Sequence, residues 1–200
     1  MRKSIYLISP KKITKGFYKS LDKVLAFGNC AFFQLRLKNT NKINIIKISN
    51  KIKKITNKYK VKFIVNDDYN LALSVKADGC HMGQLDGSFE VARYKLKNKI
   101  LGITCHSSKK LAKNALKCKP NYLAFGSFYK SKLKPNAQKA NSSIVTWAYK
   151  NLKKPIVVIG GIDNKNYKKF LKSGAKYIAI SSFIWDNPKL KPEVAIRKFE

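Results

Sequence analysis

Two aspartates and two basic residues stand just after short apolar segments of the chain. Asp67 follows the segment 61–65, and Asp86 follows the next apolar segment along the chain. Arg36 and Lys38 come at the end of an earlier one. Carboxylates are ligands that Mg²⁺ prefers, and this ion fills its remaining positions with water and substrate phosphate. These residue types together predict a site that binds an anionic ligand with the help of a metal ion.

Eight short segments rich in Val, Ile, Phe and Tyr are predicted to be β-strands. Between them, apolar residues recur at the spacing of amphipathic helices, as at Phe17, Leu21, Val24 and Leu25. A strand followed by a helix, repeated along the chain, is typical of parallel strands joined by crossover helices. We therefore predict an α/β protein, a single (β/α)8 barrel domain over residues 1–200, with an open doubly wound sheet as the alternative. The predicted strands span residues 4–8, 31–37, 61–65, 78–82, 99–103, 121–126, 155–160 and 176–181.

The composition is strongly basic and is still that of a folded protein. The 200 residues include 43 Lys and Arg against 10 Asp and Glu, a formal net charge of +33, and 44% are hydrophobic, which excludes a disordered tail. Only four of the basic residues are arginines, and the lysines are spread between apolar positions, so we predict no specific nucleic-acid partner. The apolar segments are too short for a membrane span or a secretion signal, which predicts a cytoplasmic protein without a membrane partner.

The end of the second predicted strand carries three polar side chains. Alternation along a strand places Gln34, Arg36 and Lys38 on one face, and this face would point into the barrel. Buried cations are costly unless they are paired, so this pattern indicates an anion site. The alternative is a solvated strand end.

The two aspartates are expected to converge because they follow neighbouring strands. Adjacent strands lie about 5 Å apart, so Asp67 and Asp86 can meet at one point above the barrel, where they predict a Mg²⁺ site. The alternative is that each aspartate caps the following helix. The dipeptides 80–81 and 105–106, each Cys followed by His, do not favour zinc, because neighbouring strand residues point to opposite faces.

A second anion site is expected where the last three strands end. Ser131 and Lys134 follow the sixth strand, Gly161 follows the seventh at the predicted start of a helix, and Ser181 and Ser182 follow the eighth. The loops after strands seven and eight are the usual phosphate-binding position of this barrel.

Six segments, in this order and spacing, resemble the thiamine phosphate synthase family over nearly the whole chain. They are QLRLK (34–38), FIVNDDYNLALSVKADGCHMGQLD (63–86), LGITCHSS (101–108), FGSFYKSKLKP (125–135), PIVVIGGIDNKN (155–166) and SGAKYIAISSFI (173–184). The resemblance implies a Mg²⁺-dependent transferase that joins hydroxymethylpyrimidine diphosphate to a thiazole phosphate, forming thiamine phosphate and releasing pyrophosphate.

The resemblance also implies a role for each matching residue, with both substrates as small-molecule partners. Mg²⁺ would bind to Asp67 and Asp86. The catalytic groups would be Arg36, Lys38, Thr104 and Lys134. The pyrimidine diphosphate would contact Gln34, Arg36, Lys38, Asn66, Thr104 and Lys134, and the thiazole phosphate would contact Ser131, Gly161, Ser181 and Ser182.

Two departures from the family pattern keep other functions open. Leu37 stands where the family usually has an acid, and Leu133 replaces a hydroxyl that would help to hold the thiazole substrate. The alternatives are a protein like the related thiazole tautomerase, which lacks the acid at the position of Asp86, and a paralogue that binds the same ligands without coupling them. The sequence allows an oligomer and does not set its size.

Overall fold

Eight parallel strands close into a barrel in the computed structural model, which describes residues 4–38, 40–129 and 140–200. Each strand pairs with the next in the chain, and β8 pairs with β1. This arrangement confirms the predicted (β/α)8 barrel and excludes the open sheet. The strands are β1 (Ile5–Ile8), β2 (Cys30–Leu35), β3 (Lys62–Asn66), β4 (Gly79–Met82), β5 (Ile100–Thr104), β6 (Tyr122–Phe125), β7 (Ile156–Ile159) and β8 (Tyr177–Ile180).

Helices connect the strands along the outside of the barrel. None of the helices in the described ranges is both long and apolar enough to cross a membrane. The helices are α1 (Phe17–Ala26), α2 (Lys42–Lys58), α3 (Tyr69–Ser74), α4 (Phe89–Leu96), α5 (Lys109–Leu116), α6 (Ser143–Asn151), α7 (Tyr167–Lys172), α8 (Ser182–Trp185) and α9 (Pro192–Ala195), followed by a 3-10 turn at Ile196–Lys198.

Apolar spacing explains most of these helices but not all. In α1 the predicted stripe is buried against the barrel as expected. In α4 only Ala92 and Leu96 are buried, while Val91 and Tyr94 are exposed, so the apolar pattern is too weak to predict this helix. A serine cap marks its start instead: the Ser88 hydroxyl accepts a hydrogen bond from the Val91 N–H. After β8 there are only short helical segments rather than one full helix.

The interior of the barrel holds a small core of its own, separate from the larger layer between strands and helices. Side chains that point inward from alternate strand positions fill it, and two of them are tyrosines that carry hydroxyl groups into the centre. The members of this inner core are Tyr6, Ile8, Phe32, Ile64, Tyr122, Ala124, Val157 and Ala179.

Candidate active site

Asp67 and Asp86 meet at the carboxyl ends of β3 and β4. Asp67 directly follows β3 with a positive φ of 67°, and its N–H donates to the carbonyl of His81 on β4 at 2.7 Å. Asp86 folds back onto its own loop, where one carboxylate oxygen accepts from the Gly83 N–H at 2.6 Å. The two carboxyl groups share a hydrogen bond. The predicted convergence of the two acids is therefore confirmed.

The environment of this pair favours a cation. Burial raises the pKa of Asp67 to about 6, and the hydrogen bond and negative charge of Asp86 act in the same direction, while Lys38 and Arg36 lower it. Two carboxylates held close together repel each other, and a bound cation relieves this repulsion. This donor set fits Mg²⁺. No three His, Cys, Asp or Glu side chains of the described ranges group around one point, so further ligands would come from water and a bound phosphate.

The helices that follow Asp67 and Asp86 are capped by other residues. The carboxylate of Asp68 accepts from the Leu71 N–H at 2.8 Å and caps α3, and Ser88 caps α4. Asp67 and Asp86 are therefore not needed as caps, which leaves their carboxylates directed at each other.

The prediction that three polar side chains share the barrel interior is correct for Gln34 only. β2 ends at Leu35, two residues before the predicted end, so strand alternation does not extend to Arg36 and Lys38. Arg36 is half-buried at the mouth of the barrel, where its N–H donates to the Ser9 hydroxyl at 3.0 Å, and Lys38 is exposed. Both cations are close enough to Asp67 to lower its pKa. They keep their solvation, which removes the cost of burying them.

Gln34 opens a continuous chain of hydrogen bonds that crosses the barrel. Its amide nitrogen donates to the Tyr6 hydroxyl at 2.9 Å, and the hydroxyls of Tyr6 and Tyr122 lie 2.7 Å apart. The Tyr122 hydroxyl is 3.0 Å from Nδ1 of His81, whose Nε2 lies 2.8 Å from the Thr104 hydroxyl. We call Gln34, Tyr6, Tyr122, His81 and Thr104 the interior chain. It joins two residues that the resemblance assigns to the same substrate.

The three middle members of the interior chain were not predicted from the sequence. Tyr6 and Tyr122 are 1% exposed each, and burial raises the pKa of both phenols, so each hydroxyl keeps its proton. A signal was present in the sequence, since phenols at inward positions of barrel strands need polar partners. Which partners they meet depends on the closed topology.

Asn66 and Thr104 occupy strand ends at the mouth of the barrel. Asn66 is the last residue of β3 and is paired in register with His81. Thr104 is the last residue of β5, and its carbonyl accepts from the Gln84 side chain at 2.5 Å. Gln84 belongs to the same loop as Asp86, so Thr104 contacts the loop that carries this acid.

The loops after β7 and β8 differ from the prediction in one respect. Gly161 does not stand at the start of a helix, because α7 begins only at Tyr167 and a turn around Asp163 intervenes. Gly160, with φ of 102°, packs so tightly on Ser127 that a Cβ atom would overlap the Ser127 hydroxyl. Its glycine identity is explained by this contact rather than by a ligand.

Ser181 and Ser182 lie at the end of β8 as expected. The Ser181 hydroxyl donates to the carbonyl of Ser9 at 3.0 Å, which ties the β8 end to the β1 end, and Ser182 opens α8. The two other residues assigned to the second anion site, Ser131 and Lys134, lie outside the described residues, as does Leu133.

The cysteines are structural. All four are buried and form no disulfide with one another. Burial raises the pKa of the Cys105 thiol to about 12 and also raises that of Cys80. Cys80 packs in the outer layer while His81 points into the barrel, as strand alternation predicts, so the two side chains cannot bind one zinc ion together. The thiols therefore do not supply a nucleophile.

A basic groove of about 860 Å³ opens beside the mouth, between the loop after β1 and helix α2. Arg36 and Lys38 belong both to this groove and to the surroundings of Asp67. Lys11, Lys12, Lys47 and Lys51 extend the positive charge outward. Clefts lined by one sign of charge raise the local concentration of oppositely charged ligands.

These features define a class of protein: a (β/α)8-barrel enzyme with a charged site at the carboxyl ends of its strands. A family model described as thiamine monophosphate synthase matches residues 5–184. A thiamine-phosphate synthase of Pelagibacter ubique is 50% identical over 200 residues, covering 100% of this chain and 97% of the relative. One of Erythrobacter litoralis is 35% identical over 186 residues, covering 90% and 87%.

A solved structure agrees with the sequence comparisons. The thiamine phosphate pyrophosphorylase from Pyrococcus furiosus superposes with a TM-score of 0.87 at 27% identity, covering 98% of this chain and 93% of that one. The chain belongs to the thiamine monophosphate synthase family and is a transferase of thiamine biosynthesis.

Proposed function

We propose that this enzyme couples hydroxymethylpyrimidine diphosphate with a thiazole phosphate in a Mg²⁺-dependent reaction that yields thiamine phosphate and pyrophosphate. The observation that carries the proposal is the contact between Asp67 and Asp86 beside Arg36 and Lys38. Two acids and two cations at one barrel mouth suit a ligand that carries both a diphosphate and its metal ion.

The reaction needs charge neutralisation more than it needs a nucleophile or a strong base. The bond between the pyrimidine methylene carbon and the diphosphate oxygen breaks, and the electron pair leaves with pyrophosphate. The thiazole nitrogen then donates its lone pair to the resulting carbocation. Cationic and hydrogen-bonding side chains aimed at the leaving group stabilise the charge that gathers there.

We assign these tasks to the residues at the mouth. Asp67 and Asp86 would hold Mg²⁺, and the chemistry that the bound ion supplies is neutralisation of the leaving pyrophosphate. Arg36 and Lys38 bind the same diphosphate, with Lys134 assigned to it by the family resemblance. Thr104 donates a hydrogen bond from the end of β5. Gln34 and Asn66 hold the pyrimidine half of the substrate.

The thiazole phosphate is proposed to bind on the opposite side of the mouth. Gly161 and Ser182 follow β7 and β8, the position at which barrels of this type commonly hold phosphate. Ser181 shapes this side through its bond to Ser9. Ser131 is assigned to the same substrate by resemblance.

We also propose a cytoplasmic location. Four buried cysteines without a disulfide suit a reducing compartment.

Pyrophosphate release from the purified enzyme tests the proposed function. We expect release only when both substrates and Mg²⁺ are present, and its loss with chelator or in Asp86→Asn. Asp22→Asn is the matched control, because Asp22 pairs with Lys58 on the outer helices, away from the mouth. If the enzyme binds the pyrimidine diphosphate without releasing pyrophosphate, the coupling reaction is wrong and a non-coupling paralogue is indicated. Leu133→Thr would then be the first reversion to test.

A further inference from the structure

The hydrogen bonds of the interior chain all run the same way from donor to acceptor, and counting the available protons shows which way. The Gln34 amide nitrogen donates to the Tyr6 oxygen, so the Tyr6 proton is left with one neighbour in the chain, the Tyr122 oxygen. The remaining neighbour of the Tyr122 proton in the chain is Nδ1 of His81, so Nδ1 accepts and the imidazole carries its proton on Nε2. Nε2 therefore donates to the Thr104 oxygen. The Thr104 hydroxyl proton remains for a ligand.

This direction fixes what the two ends of the chain offer. With one amide proton used by Tyr6, Gln34 presents its carbonyl oxygen, an acceptor, next to its second amide proton. Thr104 presents a hydroxyl proton, a donor. If the Gln34 amide were reversed, each bond along the chain would reverse with it, and Thr104 would become an acceptor. The two ends are thus linked, although they belong to β2 and β5.

An acceptor at Gln34 and a donor at Thr104 suit the two parts of an aminopyrimidine diphosphate. Gln34 is 3% exposed inside the barrel, where an uncharged ring is the part of the substrate that can be buried without a large desolvation cost. The pyrimidine of thiamine carries a ring amine, which needs an acceptor. Thr104 lies beside the loop of Asp86, where the charged diphosphate needs donors.

We propose that Tyr6, Tyr122 and His81 are positioning residues that orient Gln34 toward the ring amine and Thr104 toward the diphosphate of one substrate. The inference rests on the proposed function and adds a determinant of its specificity. The reverse direction would place a donor against the amine and an acceptor against the anion, so the chain selects against ligands that lack either group.

The packing of the barrel supports a specific role for the middle of the chain. His81, Gly102 and Tyr122 lie side by side in register on β4, β5 and β6. Because Gly102 has no side chain, the Tyr122 ring passes over it and stacks on the His81 ring at 5.7 Å with an interplanar angle of 9°. The hydroxyl thereby reaches a partner two strands away.

The test compares binding of two ligands by the full-length enzyme. Titration calorimetry without the thiazole substrate would give dissociation constants for hydroxymethylpyrimidine diphosphate and for the analogue with hydrogen in place of the ring amine. We expect the wild type to prefer the aminated ligand by roughly tenfold, the value of one well-placed hydrogen bond. In Tyr122→Phe the remaining acceptor for the Tyr6 proton in the interior chain is the Gln34 carbonyl, so we expect the amide to reverse and the preference to disappear.

Two further variants keep the result interpretable. Tyr6→Phe breaks the chain at a different bond and should remove the same preference. The double variant Tyr6→Phe/Tyr122→Phe should lose no more of the preference than either single variant, because the effects of residues in one network are not additive. Tyr177→Phe is the matched control. Tyr177 packs edge-on against Phe32 at the other end of the barrel, outside the interior chain, and this variant should keep the wild-type preference.

The outcomes separate the two proposals. A wild-type preference that persists in folded Tyr122→Phe and Tyr6→Phe overturns the positioning role and leaves the proposed function intact. A wild type that binds neither ligand overturns the proposed function, and the positioning role with it. A general loss of affinity for both ligands at an unchanged ratio would indicate a structural effect only, and this too contradicts the inference.

Discussion

Gly102 leaves the space that the Tyr122 ring occupies. The two residues are paired in register on β5 and β6, and a Cβ atom at position 102 would overlap both Cζ and the hydroxyl oxygen of Tyr122. The sequence therefore carries a glycine in the middle of a barrel strand, where glycine weakens the strand and often marks a close approach. This close approach places a hydroxyl in the interior chain.

Gly102→Ala should destabilise the enzyme by about 1–3 kcal/mol, because the added methyl group overpacks a filled interior. It should also weaken binding of hydroxymethylpyrimidine diphosphate, since the Tyr122 ring must move away from His81. Urea unfolding followed by circular dichroism measures the first effect, and calorimetry measures the second. Gly16→Ala serves as the control, because no atom lies within 4 Å of its added Cβ and its φ of −72° suits alanine. Equal effects of the two substitutions would contradict the role of Gly102.

The cations at the mouth are expected to stabilise the transition state by neutralising the charge on the leaving group. Lys38→Met should lower kcat/KM for pyrophosphate release by about a hundredfold, equivalent to roughly 3 kcal/mol, because one donor to the leaving group is lost. Lys113→Met, at an exposed position on α5, removes the same charge elsewhere and should leave kcat/KM near the wild-type value. A similar small loss in both variants would show that net charge, rather than a contact at the site, determines the rate.

Thiol reagents should not inactivate the enzyme in minutes at neutral pH. Burial and a raised pKa keep Cys80 and Cys105 in the unreactive thiol form. Incubation with iodoacetamide at pH 7.5, followed by the pyrophosphate assay and mass spectrometry of the intact chain, checks this expectation. Rapid inactivation that tracks alkylation of either cysteine would refute the structural role assigned to these thiols.

Much of the fold could be predicted because it depends on local patterns. Each strand is a run of apolar residues, and adjacent parallel strands must end at the same rim, which is why the sequence alone could place Asp67 and Asp86 together. The end of β2 was less predictable. Leu35 is its last residue, yet the alternating pattern continues through Arg36 and Leu37, so the pattern extends the strand too far.

The contacts of the interior chain could not be predicted from the sequence, for a different reason. Tyr6 and Tyr122 are 116 residues apart, and their contact arises only when β1 and β6 face each other across the closed barrel. The apolar residues of helix α4 do not by themselves predict a helix, because its exposed face carries Val91 and Tyr94. Local patterns thus predict which residues reach the rim, while partners across the interior require the topology.

The pH dependence of stability tests the carboxylate pair. The pKa of Asp67 in the fold is about 6, above the ordinary 3.8. The protonated form is therefore favoured by folding, and its contribution to stability is present below pH 4 and is lost as pH rises through 6.

Without metal, this group should lower the free energy of unfolding of the wild type by about 1 kcal/mol between pH 4 and pH 7. This is less than the full pKa shift would give, because the side chain is half-exposed and solvent screens its charge. Asp67→Asn should remove that loss.

Mg²⁺ should raise the melting temperature at pH 8 but not at pH 4.5, since protons and the metal compete for the same oxygens. Thermal melts in chelator and in excess Mg²⁺ measure both effects, with Asp22→Asn as the control that keeps the response to Mg²⁺. A Mg²⁺ response that survives in Asp67→Asn and Asp86→Asn would place the metal elsewhere.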